Sequence, residues 1–269
     1  MAINALQSSA SALSALNTAL DVTANNLANV NTHGFKTSRA NFQDLLYIEK
    51  EQPGTRNAND DQRPTGLYVG LGVKVSGTQL DFAPGAAYRT SNPLDVMVEG
   101  EGFFELQVED NLGNGGKAYT RAGNFALNSD GELVLANDQG RRLEPIIPIP
   151  DTADSVTIGN DGRVFYTESG NTEQQEAGQL TISTFINPQG LKQVGENLFV
   201  ETIASGPPNS GTPGEDKRGT LRSGFLEASN VDPTRELIDL IRTQRAFELN
   251  SQSIKAADET LRSVAQLRR

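Results

Sequence analysis

The 269-residue chain has no cysteine and no tryptophan, and its one histidine is His33. Without cysteine there is no disulfide framework and no thiolate metal site, and a lone histidine leaves zinc without its usual ligands. Only oxygen ligands for a cation such as calcium remain. Aromatic residues make up 6% of the chain, so the core that a 36% hydrophobic content can build is modest for the length. Positive charge is also short: 23 Lys and Arg against 34 Asp and Glu give a formal net charge of -11. A nucleic-acid partner would require a clustered basic footprint, and none occurs before the mixed-charge C-terminal stretch. No apolar run approaches the roughly 20 residues of a membrane span. Ser8, Ser9, Ser11, Ser14, Asn17 and Thr18 interrupt what would be the apolar part of a secretory signal. The expectation is no membrane insertion and, for an exported chain, a route without a cleavable signal peptide.

Catalytic motifs are equally scarce. Gly100-Glu101-Gly102 lacks the third glycine and the following helix of a dinucleotide-binding turn, and reads as a strand bend. Asn57-Ala58-Asn59-Asp60-Asp61 resembles the start of a calcium loop, but the glycine at its sixth place is missing and Tyr68 stands where the bidentate glutamate belongs. His33 lies beside a helix-ending glycine with no carboxylate near it in sequence, so a surface cap residue outweighs a general base. Acidic pairs suited to glycoside hydrolysis are inevitable among 34 acidic residues and carry no weight by themselves. No catalytic residue, metal ligand or cofactor is expected.

What the chain does possess is two leucine-rich ends. Leu6, Leu13, Leu20 and Leu27 stand seven residues apart, with Leu16 and Val30 beside them. Leu240, Phe247, Ile254 and Leu261 repeat that spacing near the other end, flanked by Leu237 and Val264. A repeat of seven makes a narrow apolar seam on a helix, as in a coiled coil. These eight residues are the expected subunit interface; the simpler alternative is packing of two helices within one chain. The first helix is expected over residues 3 to 31, with Gly34 as its left-handed terminator and Phe35 folding back onto its last turn. Asn25, Asn26, Asn29 and Asn31 crowd that end, where asparagine weakens a helix, so partners are expected for them, neighbouring subunits among the candidates. The last helix is expected after Asp232 as cap and Pro233 at its first position.

Between the helices the pattern is β. The apolar cluster Phe42, Leu45, Leu46, Tyr47 and Ile48 fits a short helix or an extended arm equally well, and the Pro/Gly-interrupted polar stretch 51–66 reads as a loop or a segment that orders on a partner. From Leu67 onward, β formers separated by turns such as Ser129-Asp130-Gly131 and Asn160-Asp161-Gly162 predict a hairpin-rich domain. A second Pro/Gly/Ser-rich stretch covers 204–219. The fold class expected is therefore α+β: terminal helices pairing as a coiled-coil-like bundle, with an inserted all-β domain. The expected boundaries are 1–35 for the N-terminal helix, 36–75 for an extended connector, 76–203 for the β domain, 204–231 for a second connector and 232–269 for the C-terminal helix.

Ala24-Asn25-Asn26-Leu27-Ala28-Asn29-Val30-Asn31-Thr32-His33-Gly34-Phe35-Lys36 resembles the signature of the bacterial flagellar rod and hook axial proteins. Its family positions are Asn25, Asn26, Leu27, Asn29, Gly34 and Phe35. The resemblance continues through Pro93-Leu94-Asp95-Val96, Gly100 to Phe104, Tyr119 to Phe125, Gly224 to Val231 and Thr243 to Glu248. It thus covers nearly the whole chain. Gly195-Glu196-Asn197-Leu198-Phe199, then Ser205 to Pro208, and the length resemble the distal rod branch; Val69 to Val75 looks hook-like, though hook subunits are usually much longer. The resemblance implies a non-enzymatic subunit of the basal body that spans the periplasm. Its partners would be further copies of itself in a helical homopolymer, proximal rod proteins, hook or hook-junction subunits, the surrounding ring bushing and the flagellar export apparatus. A proximal rod or short hook-type subunit is the alternative, and a periplasmic wall-cleaving enzyme, for which no motif exists, the remote one.

Overall fold

The computed structural model describes residues 2–54, 64–109, 112–168 and 173–267. The fold is α+β, with a helix at each end and a large β-rich middle. It divides into two compact units that the chain visits in turn: Met1–Ala28, Ser38–Gln79 and Asp232–Arg269 form a helical unit, and Asn29–Thr37 with Leu80–Val231 form a β unit.

In the helical unit, α1 (Ala2–Ala28) and α2 (Pro233–Leu267) pack against each other. Neither contains glycine, and proline occurs only at the first position of α2, where its missing N–H costs nothing. Asp232 caps α2 as expected: its Oδ1 accepts the N–H groups of Thr234 at 3.0 Å and Arg235 at 3.3 Å. α1 stops at Ala28 rather than Asn31, because residues 29–37 leave it to join the β unit.

The ambiguous segment after Lys36 is extended. Strands β1 (Ser38–Asp44), β2 (Tyr47–Glu51), β3 (Leu67–Gly70) and β4 (Val73–Leu80) form two two-stranded ribbons, β1 with β4 and, antiparallel, β2 with β3. In the second, Tyr47 pairs with Gly70, Ile48 with Val69 and Glu49 with Tyr68. The span 36–75, read from sequence as a connector, thus carries ribbons belonging chiefly to the helical unit. The calcium-like stretch 57–61, and residues 55–63 of the polar segment around it, lie outside the described residues.

In the β unit the largest sheet runs, edge to edge, through Lys192–Gly195, Leu198–Val200, Lys117–Thr120, Phe103–Gln107, Ile182–Thr184 and Asn209–Gly211, with Leu143–Glu144 also on Phe103–Gln107. Its strand pairs are antiparallel. Alternation along these strands serves two cores. Phe104, Leu106, Ala118, Ile182, Leu198 and Val200 enter the main core, while Phe103, Tyr119 and Phe199 point into a second, aromatic one with Phe185, Leu191 and Leu80. The Asp130-Gly131 and Asp161-Gly162 turns close hairpins between Phe125–Leu127 and Leu133–Leu135, and between Ala153–Ile158 and Arg163–Glu168. Both glycines have positive φ, 75° and 83°, which explains the residue type. The stretch 204–231, read as a connector, contributes Asn209–Gly211, Thr220–Ser223 and Phe225–Glu227 to the β unit; its prolines and glycines sit between short strands.

Candidate assembly site

Within the helical unit the polar anchor is Asn26, 2% exposed. Its Nδ2 donates to the Ser38 carbonyl at 2.8 Å and to Glu236 Oε1 at 3.2 Å, and its Oδ1 accepts the Ser38 N–H at 3.1 Å. One side chain therefore ties α1 to β1 and to α2. Asparagine was expected to find partners here, and Asn26 finds them inside its own chain. Burial pushes the Glu236 carboxyl above the usual range, and the Asn26 donor opposes that shift. Asn25 is exposed on α1, and Asn29, already in the β unit, accepts the Thr32 hydroxyl at 3.1 Å.

The seam residues Leu6, Leu13, Leu20 and Leu27 of α1, and Leu240, Phe247 and Ile254 of α2, are half-buried; Leu261 is exposed. The side chain of Val264 lies outside the described ones. Beyond the seam, α2 leaves Leu237, Ile238, Ile241 and Leu249 exposed, and the ribbons leave Phe42, Leu46, Tyr47, Ile48, Leu67 and Tyr68 exposed. So much apolar surface on one small unit is the mark of an interaction face.

In the β unit, Gly34 is not a helix terminator. Its φ is 71°, its N–H donates to the Glu227 carbonyl at 2.8 Å, and a Cβ there would sit 2.7 Å from the Ala122 nitrogen. Glycine is thus required twice, by conformation and by close approach of a neighbouring backbone. Phe35, buried at 8% exposure, belongs to the β unit rather than to the last turn of α1. His33 is exposed, with its ring stacked on Tyr88 at 6.1 Å between centroids.

Next to them is a charged cluster that sequence reasoning missed. Lys36 Nζ is 2.6 Å from Glu227 Oε1, and both side chains are fully buried. Arg121, 3% exposed, places Nη1 3.5 Å from Glu227 Oε2 and donates from Nη2 to the Gly100 carbonyl at 2.8 Å. Lys36 also donates to the Ala83 carbonyl at 2.9 Å, and Glu227 Oε1 accepts the Gly85 N–H at 2.8 Å. Desolvation holds the Lys36 and Arg121 pKa values below their ordinary ranges against the attraction of Glu227. Asn230 completes the arrangement: it accepts the Thr37 N–H at 2.7 Å and donates to the Asp81 carbonyl at 2.8 Å. The three charged residues lie 85 and 106 positions apart along the chain, so no local pattern joins them. The available signal was that each stands in a signature stretch that is otherwise apolar, small or amide-bearing.

Among the described residues no group of three or more His, Asp or Glu is placed to hold a metal ion, and no helix is long and apolar enough to cross a membrane. What the geometry offers is side-chain surface for packing and a polar clamp for rigidity.

Three family models match the chain: "Flagella basal body rod protein" over residues 6–36, "Flagellar hook protein FlgE/F/G D1 domain" over 97–166 and "Flagellar basal body rod FlgEFG protein C-terminal" over 222–267. The flagellar basal-body rod protein FlgG of Caulobacter vibrioides is 40% identical over 99% of this chain and 100% of its own. The chain belongs to the flagellar basal-body rod protein family. A second rod protein FlgG, from Buchnera aphidicola subsp. Schizaphis graminum, is 43% identical over 92% of this chain and 93% of its own. The FlgF rod protein of Caulobacter vibrioides is 32% identical over 98% of this chain and 97% of its own. The rod family is one of structural components and not of enzymes. Lys36, Arg121 and Glu227 each fall inside a matched segment.

Proposed function

We propose that this protein is a distal rod subunit of the flagellar basal body, polymerising helically into a hollow shaft that carries torque from motor to hook and lets exported axial proteins pass. The observation that carries the reading is the full-length likeness to FlgG rod proteins, higher than to FlgF within the same organism. The exposed apolar residues of α2 and of the ribbons support it, since a subunit that stays alone gains nothing by leaving them in water. In this reading the seams of α1 and α2 pair as a coiled-coil-like bundle that neighbouring copies complete. Its other partners are proximal rod proteins at one end, hook or hook-junction subunits at the other, the ring bushing around it, and the export apparatus that delivers it to the periplasm-spanning rod. Labelling the protein in isolated basal bodies tests the assignment. Label confined to the distal rod is expected; label in the hook or the proximal rod overturns it.

A further inference from the structure

The β unit presents two isoleucines in full contact with water: Ile186 is 90% exposed and Ile203 105%. They sit on adjoining loops, 186–191 and 202–206, that are strongly braced. Asn187 donates from its backbone N–H to the Ser205 carbonyl at 3.3 Å and from Nδ2 to the Ala204 carbonyl at 3.1 Å. The Thr202 hydroxyl donates to the Gly190 carbonyl at 2.6 Å, and Ser205, 1% exposed, donates its hydroxyl to the Thr202 carbonyl at 2.9 Å. The loops approach so closely that a Cβ on Gly190 would lie 2.6 Å from the Ala204 carbonyl carbon. Phe185 and Leu191 at either end of the first loop are anchored in the aromatic core. Ile186 and Ile203 each precede one member of the Asn187–Ala204 hydrogen bond, so both flank one rigid tip.

Two further features identify the occupant. No residue in 186–191 or 202–214 is charged, on a chain whose net charge is -11. The two loops themselves therefore add no like-charge repulsion between copies of an acidic chain, although Glu201 and Lys192 flank them. The size of the patch argues the same way. Two isoleucines offer at most a few hundred Å², against about 800 Å² per partner in a free-standing interface. Such a patch cannot hold a dimer alone and contributes where other contacts already fix the partner, as in a polymer of identical subunits. We propose that the Ile186/Ile203 tip docks on a second copy of this chain in the assembled rod, as a secondary contact separate from the helices. The proposal rests on the rod reading above.

Because the chain has no cysteine, Ile203→Cys in the full-length protein carries a unique attachment point for a photo-reactive benzophenone. In isolated basal bodies, illumination is expected to give an adduct of twice the chain mass, absent from dilute monomer. Leu249→Cys on exposed α2 serves as the comparison. If the protein is missing from basal bodies, the rod reading itself fails. If it is present and the Ile203→Cys probe gives no adduct, or one with a different protein, the tip proposal falls, whatever Leu249→Cys shows. Ile186→Ser with Ile203→Ser is expected to lower the yield of completed rods at least tenfold with the monomer melting temperature unchanged. Normal yield overturns the proposal.

Discussion

Glu227 is a carboxylate with no access to water, held between two cations, and its replacement separates the attraction it provides from the desolvation it endures. Glu227→Ala leaves Lys36 and Arg121 buried without a counter-charge, and breaking a buried pair on one side costs about 3–5 kcal/mol. Denaturant unfolding of the β unit should show a loss of that order, and Lys36→Met should relieve part of it in the double variant. No loss in Glu227→Ala would mean that the cluster contributes nothing to the fold. Tyr119 gives a second expectation, in pH. Its burial, with Glu105, Glu201 and Glu144 nearby, raises its folded pKa above the ordinary value. The unfolded chain therefore releases this proton first. The stabilisation is fully present below about pH 10 and declines as pH rises beyond it. Tyr119→Phe should flatten the fall of melting temperature between neutral pH and pH 11; an unchanged slope would assign alkaline unfolding to other groups.

At the scale of elements, the paired helices carry the assembly reading. Burying one seam side chain is worth roughly 1.5–3 kcal/mol, and a carboxylate there forfeits this and adds a desolvation cost. Every subunit of a polymer repeats the defect. Leu20→Asp should therefore abolish rods and motility while the β unit keeps its melting temperature, and Ser14→Asp on an exposed position should be far milder; normal swimming by a Leu20→Asp strain with the protein in its basal bodies would refute the seam mechanism. Much at this scale was legible in the sequence. Spacing by seven marked the helices, Asp232-Pro233 marked the start of α2, and Asp-Gly turns marked hairpins, because each is a local rule within one stretch of chain. The end of α1 was misplaced because Asn29 to Phe35 satisfy helix-end chemistry while two of their backbone partners, Glu227 and Asn230, are distant in sequence. The short strands at 209–211 and 220–227 were hidden by prolines and glycines that punctuate them. The Lys36, Arg121 and Glu227 cluster was out of reach for the same reason: tertiary contact, not periodicity, brings it together.

For the whole molecule, the polar segment 51–66 lies between β2 and β3, whose exposed apolar residues border it. Deleting it should leave the β unit folded and change the curvature or stiffness of rods seen by electron microscopy; unaltered rods would reduce it to a passive loop. Limited digestion of the monomer should cut within α1 and α2 before it cuts the β unit, since the helices lack the neighbours that complete their burial; helices that outlast the β unit would contradict coupled ordering. Because Asn29–Thr37 belongs to the β unit, that unit is not a continuous piece of the gene. A fragment of residues 80–231 lacks Lys36 and the backbone groups that meet Glu227 and Asn230, so Glu227 loses one of its two counter-charges. Capture of the nine-residue peptide 29–37 by that fragment, lost on Lys36→Glu, would turn an intramolecular clamp into a measurable binding reaction.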